Sequence, residues 1–228
     1  MSARPGAGRL IRCGACAAVA TLVWLAGCGV STVRLPTAPA LVAPGDATPT
    51  EAVRRLEWSW NRKSVAAYRT LFTQDYRFAF STLDPYGAPA GDAWTREDEM
   101  AFATHLFVGG HPTEPPAIRT SLRFDRNLLV RVDPRPGKNP DWHKLIRTSL
   151  SLVVVDSLRE RTITGFGNFY LVRGDSAAVP AEIEPLGYAP DSTHWYIDRW
   201  EDDTASSAGG RAMPTKNVTL GALKALYR

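Results

Sequence analysis

The chain has 228 residues, with 27 Lys and Arg, 23 Asp and Glu, three cysteines and a formal net charge of +4. The surplus is local: Arg4, Arg9 and Arg12 stand in an acid-free leader, and beyond it 24 basic residues face 23 acidic ones. That near-neutral remainder excludes the clustered basic face that nucleic acid requires. Cys13 and Cys16 form a CxxC inside the same leader, which excludes a cysteine metal or redox site from the working protein.

In chain order the leader comes first. "MSARPGAGRLIR" precedes "CGACAAVATLVWLAG", an uncharged run of about 15 residues where a spanning helix needs about 20. A positive flank, a short apolar core and small residues before Cys28 form a secretory pattern, so residues 1–27 are predicted to be a signal peptide. Leu25-Ala26-Gly27-Cys28 resembles the lipobox of bacterial lipoproteins. The resemblance implies that Cys28 becomes the N-terminus and carries a diacylglyceryl thioether and a third acyl chain such as palmitate. Several chains anchor stably where a single one is marginal. Gly29 stands where Asp is associated with inner-membrane retention, which points to the outer membrane with the domain facing the periplasm. Residues 28–47 contain Pro36, Pro39 and Pro44 and no sustained periodicity. They read as a tether that would reach roughly 60 Å at about 3.1 Å per residue.

Helical signals start at "TPTE", with Thr48 as cap, Pro49 at the first helical position and Glu51 completing a capping box. Val53, Leu56 and Trp60 follow as one apolar stripe. Ser64 caps a second short helix with Val65, Tyr68 and Phe72 at the same spacing. "YRFAFS" (76–81) alternates as a half-buried strand. "TREDEMAFATHLF" (95–107) is a third helix, capped by Thr95 and Asp98, with Met100, Ala103 and Phe107 as its stripe. Residues 117–124, 143–156, 161–174 and 194–202 are β-branched, aromatic and alternating, hence strands. This order predicts an α+β fold of three helices packed on one face of an antiparallel sheet. Strands this long bend, and Gly165 and Gly167 are the candidate kink or bulge positions. The domain is placed at residues 48–203, followed over 204–228 by a linker and a short helix with Leu220, Leu223 and Tyr227 on its docking face.

"LFTQDYRFAF" after a helical hairpin, and "WYIDRWED" in the last strand, resemble the nuclear transport factor two-like (SnoaL-like) superfamily. The resemblance implies a cone, a curved sheet wrapped around three helices with a cavity open at one end. The superfamily contains isomerases, dehydratases, epoxide hydrolases, cyclases and members without activity, so fold alone selects no function. "DPYG" resembles the isomerases' catalytic turn, which makes Asp84 a candidate base, although Asp, Pro and Gly also serve a plain turn. The epoxide hydrolases use an Asp-Arg-Asp relay; Asp198 and Arg199 are adjacent and point to opposite faces of a regular strand. The dehydratases use histidines, and His105, near the end of the third helix, is the one placed to face a cavity. His111 lies in a Pro-rich loop, and His143 and His194 open strands. No histidine has metal spacing, and neither a G-x-S-x-G elbow nor a phosphate loop occurs, so no metal or cofactor is predicted.

Arg147 would bind a carboxylate or phosphate if its strand face lined the cavity, and is a solvated charge if it faces outward. "GDSAAVPAEIEPLGYAPDST" (174–193) is too long for a hairpin loop and is read as a packed flap anchored by Ile183, Leu186 and Tyr188. Beyond the leader the tryptophans are Trp58, Trp60, Trp94, Trp142, Trp195 and Trp200, core packing for the most part or an aromatic pocket. Trp58, Tyr68, Arg147 and Trp195 are the candidate ligand contacts. Three functions follow: an envelope module binding a small apolar molecule without catalysis, an envelope assembly or interaction protein, and an isomerase, dehydratase or cyclase using Asp84 or His105. An interior filled with large side chains would favour the second.

Overall fold

The computed structural model describes residues 42–81, 94–205 and 216–228; the leader, Cys28, the first part of the tether and the Asp84 turn lie outside the described residues. The first helix, α1 (Pro49–Arg62), begins as its residues dictate. Thr48 Oγ1 accepts the Glu51 N–H at 3.1 Å, and Pro49 opens the helix without a wasted donor. Val53, Leu56 and Trp60 are fully buried, as their spacing predicts. Helix α2 (Val65–Arg69) is capped by Ser64, and α3 (Arg96–Thr104) starts on the reciprocal Thr95–Asp98 box. The helix then widens into a π-helical turn, His105–Gly109, and stops at Gly110.

Among the described residues eight strands make one sheet: β1 (Phe72–Ala79), β2 (Trp94–Thr95), β3 (Arg119–Phe124), β4 (Val130–Val132), β5 (His143–Val155), β6 (Glu160–Val172), β7 (Tyr196–Ala205) and β8 (Lys216–Asn217). The order is β2-β1-β7-β6-β5-β3, with β4 on β5 and β8 on β6. Pairing is antiparallel from β3 through β7, while β1 runs parallel to β7, setting Phe78 opposite Trp200. Strand β1 begins four residues before the predicted "YRFAFS", because Phe72 and Thr73 are already buried and Phe72 pairs with Ile197.

Ile146, Thr148, Leu150, Leu152 and Val154 of β5 face the helices, and Arg147, Ser149 and Ser151 face out. The ladder keeps its register through Gly165 and Gly167. Gly165 has φ +149°, and a Cβ there would sit 2.5 Å from Thr204 Cα, so only glycine lets β6 and β7 approach this closely. The register break falls further along, between Tyr170 and Leu171, where Asp198 stands out of the ladder. The flap holds Ile183 against Val172, Ala177 and Tyr196, with Tyr188 packed alongside. Leu186 is 63% exposed and anchors nothing. Helix α4 (Leu220–Leu226) docks with Leu220, Leu223 and Tyr227 in the main core. Among the described residues no helix is long and apolar enough to cross a membrane.

Candidate functional site

The side chains between sheet and helices are large and aromatic: Trp60, Tyr68, Phe72, Tyr76, Phe78, Trp94, Phe102, Trp200 and Tyr227 lie in one buried cluster. Edge-to-face contacts link them, with Phe78 and Trp200 centroids 5.6 Å apart and Trp94 and Phe102 6.3 Å apart. Two opposite charges stand among these rings. The capping box aims the first turn of α3 so that Glu99 faces inward, and it is wholly buried. Lys224, on the inward face of α4 one turn after Leu220, is wholly buried as well, and its ammonium pairs with both Glu99 oxygens.

Glu99 also accepts the Tyr68 hydroxyl, the Tyr76 hydroxyl at 3.3 Å and Trp94 Nε1 at 2.8 Å. Every one of these contacts is with a donor, the pattern a carboxylate accepts. Burial, with the Glu99 charge adding to it, pushes both tyrosine hydroxyls well above their usual range. Burial lowers the Lys224 ammonium, and Glu99 opposes that shift. Around Lys224 Nζ four ring centroids close in, Phe78 at 4.0 Å, Phe102 and Trp200 at 4.9 Å and Trp94 at 5.5 Å. This is an aromatic cage with a carboxylate in one wall, occupied by a lysine of the same chain.

Helix α4 is tied down at both ends. Thr219 Oγ1 caps it, Thr204 Oγ1 accepts the Leu220 N–H at 2.9 Å and Asp202 Oδ2 the Gly221 N–H at 3.0 Å. Burial pushes the Asp202 carboxyl up to about 6, against the Thr204 and Gly221 donors and Lys224. At the other end the Tyr227 hydroxyl donates to the Pro115 carbonyl at 2.8 Å, and His105 Nδ1 donates to the Tyr227 carbonyl at 2.8 Å.

The sequence candidates fall in separate places. Tyr68 belongs to the caged pair. His105 is engaged with the Tyr227 backbone through Nδ1. Trp58 is half-buried on α1, and Trp195 is buried beneath the Arg173 guanidinium, 4.9 Å from its ring. Arg147 stands on the outer face, 2.8 Å from Asp203 and stacked 4.8 Å from the Phe166 centroid. It is the solvated alternative, because it alternates with the buried Ile146 and Thr148 on β5 and so faces outward. Asp198 and Arg199 do not point to opposite faces as adjacent strand residues would: the register break at Asp198 brings both into one outer network. There Arg135 pairs with Asp133 and Asp198 at 2.6 and 2.9 Å and lies 4.2 Å from the Tyr170 centroid, while Arg199 pairs with Glu201. An Asp–Arg–Asp arrangement therefore exists, from Asp133, Arg135 and Asp198, but on the outside of the sheet. Among the described residues no group of three or more His, Cys, Asp and Glu is placed to hold a metal ion.

No protein-family model and no curated protein matches the chain. Its fold is similar to several solved structures. A nuclear transport factor 2 (NTF2-like) superfamily protein from Salmonella enterica serovar Typhimurium is 15% identical, with 72% of this chain and 94% of that one covered at a TM-score of 0.42. ActVI-ORFA from Streptomyces coelicolor is 14% identical over 68% of this chain and 92% of that one, TM-score 0.41. A domain with a cystatin-like fold from Nostoc punctiforme is 13% identical over 69% and 74%, TM-score 0.40. The caged Glu99–Lys224 pair is missing from the sequence candidates, although a signal for it exists. Glu99 precedes Phe102 and Ala103 by three and four residues, and Lys224 follows Leu220 by four, so each places one opposite charge on the apolar face of its helix.

Proposed function

We propose that this chain is a lipid-anchored protein of the bacterial cell envelope whose domain works by contact with another envelope component and not by catalysis. One observation carries the reading: among the described residues, aromatic side chains and the Glu99–Lys224 pair pack the space between sheet and helices in which an open cone would take a ligand. An apolar ligand would have to share that space with two charges, so the filled interior favours the interaction reading over storage of an apolar molecule. The enzyme reading draws no support from His105, whose Nδ1 is held by the Tyr227 carbonyl. Anchoring rests on the Leu25-Ala26-Gly27-Cys28 resemblance.

Two measurements test this. Cys28→Ala is expected to move the protein from the membrane to the soluble fraction of fractionated cells; continued membrane retention would remove the anchor. Native mass spectrometry of the released Cys28→Ala protein is expected to give the mass of the polypeptide alone. A reproducible adduct lost on denaturation would instead restore the ligand-binding reading.

A further inference from the structure

We propose that the aromatic cage is a receptor site for a primary alkylammonium group, that Lys224 is its built-in occupant, and that a small-molecule amine enters by displacing α4. The inference goes beyond the contact reading and does not depend on which partner the outer surface meets.

The chemistry of the walls selects the ligand. Four rings within 4.0–5.5 Å of Nζ attract any cation through their π faces. Glu99 narrows the choice, because both of its oxygens accept N–H donors from Lys224. A quaternary ammonium has no N–H to give them and would leave a buried carboxylate unmatched. A primary ammonium on a short alkyl chain satisfies rings and carboxylate together, as the lysine does. Tyr68, Tyr76 and Trp94 hold Glu99 from its other sides, so the carboxylate is positioned independently of the cation.

The occupant is carried by a short helix. Helix α4 has seven residues, too few to persist as a helix off the domain, and is joined to the sheet through the two-residue parallel strand β8. Stability does not call for a charged pair here, since apolar residues of similar volume commonly replace both partners of a buried ion pair without loss. A cation in this place makes the seal competitive: whatever brings the same charge and the same N–H donors contends with Lys224 for Glu99.

The first arm of the test uses Lys224→Ala in the full chain, which removes the three methylenes and ammonium that n-propylammonium would restore. Thermal unfolding is followed with n-propylammonium chloride, 1-propanol, propyltrimethylammonium chloride and sodium chloride. The variant is expected to melt below the unaltered chain and to recover saturably with n-propylammonium alone, with half-saturation near about 1 mM for so small a ligand. If Lys224→Ala does not fold unaided, refolding yield with each additive replaces the melting temperature. Equal responses to n-propylammonium and 1-propanol, or none to either, would overturn the site.

The second arm follows backbone hydrogen exchange in the unaltered chain as n-butylammonium is added. Residues 219–227 are expected to exchange at least tenfold faster, while β5 and β6 keep their protection. Unchanged exchange in α4 at amine concentrations that saturate Lys224→Ala would overturn displacement.

Discussion

Exchanging Lys224 for methionine keeps an unbranched chain of similar length in the cage and removes its charge. Glu99 retains its bonds to Tyr68, Tyr76 and Trp94 but loses the only cation in contact with it among the described residues. Removing one partner of a buried pair costs about 3–5 kcal/mol, because the other charge is left uncompensated in a low-dielectric interior. In a domain of this size each kcal/mol moves the melting temperature by about 2–4 °C, so Lys224→Met should melt about 6–20 °C lower. Glu99→Gln alone should fall by a similar amount, now with the ammonium stranded among the rings. The double variant carries neither charge, gains methionine–aromatic contacts and should return to within about 2 kcal/mol of the unaltered chain. Calorimetric melts of the four proteins at pH 7 close the cycle, with an expected coupling of about 3 kcal/mol or more, well above the roughly 0.5 kcal/mol scatter of independent sites. Additive losses within that scatter would refute a buried ion pair.

Asp202 makes the fold lose stability as pH rises toward neutrality. A carboxyl raised by burial from 3.8 to about 6 contributes fully to stability below pH 4 and loses that contribution as pH climbs through 6, roughly 3 kcal/mol in all. Asp202→Asn should flatten the stability profile between about pH 4 and 6; urea unfolding in half-unit pH steps that gives an unchanged slope would count against it. Gly165→Ala forces a methyl to within 2.5 Å of Thr204 Cα at φ +149° and should cost about 2–4 kcal/mol in urea unfolding. A loss under about 0.5 kcal/mol would mean that β6 and β7 are not so close. Arg147→Ala removes a pair with Asp203 in which both side chains are nearly half exposed and should change stability by less than about 1 kcal/mol. A larger fall in the same unfolding assay would put Arg147 in a buried role.

The elements with strong local chemistry were legible in the sequence. Thr48, Ser64 and the Thr95–Asp98 box stop and start helices through hydrogen bonds between near neighbours, and those starts lie where the letters put them. Strands β5 and β6 have thirteen residues each, and β5 alternates from Ile146 to Val155, long enough for period two to stand out. Strands β4 and β8, of three and two residues, have no period of their own and exist only through their partners β5 and β6. The parallel β1–β7 pairing escaped for the same reason, since nothing local to Phe78 names Trp200 as its neighbour. The site was hidden by residue type. Aromatic residues drew attention as pocket walls, while Glu99 and Lys224, single charges on the apolar faces of their helices, were not singled out. Register had the opposite effect on Arg147: its strand was read correctly, but which face met solvent depended on how β5 lay against the helices.

The distance along the chain between the two caged charges has a consequence for biogenesis. Glu99 and Lys224 are 125 residues apart, so a polypeptide delivered from its N-terminus brings the carboxylate and its aromatic surroundings long before the ammonium. Until then Phe78, Trp94, Phe102 and Trp200 enclose an unfilled socket, the kind of exposed apolar surface on which incomplete chains aggregate or are degraded. Arrival of Lys224 is what closes it. A chain broken anywhere between β7 and α4 would keep nearly all of its strands and helices and still lack that closing charge.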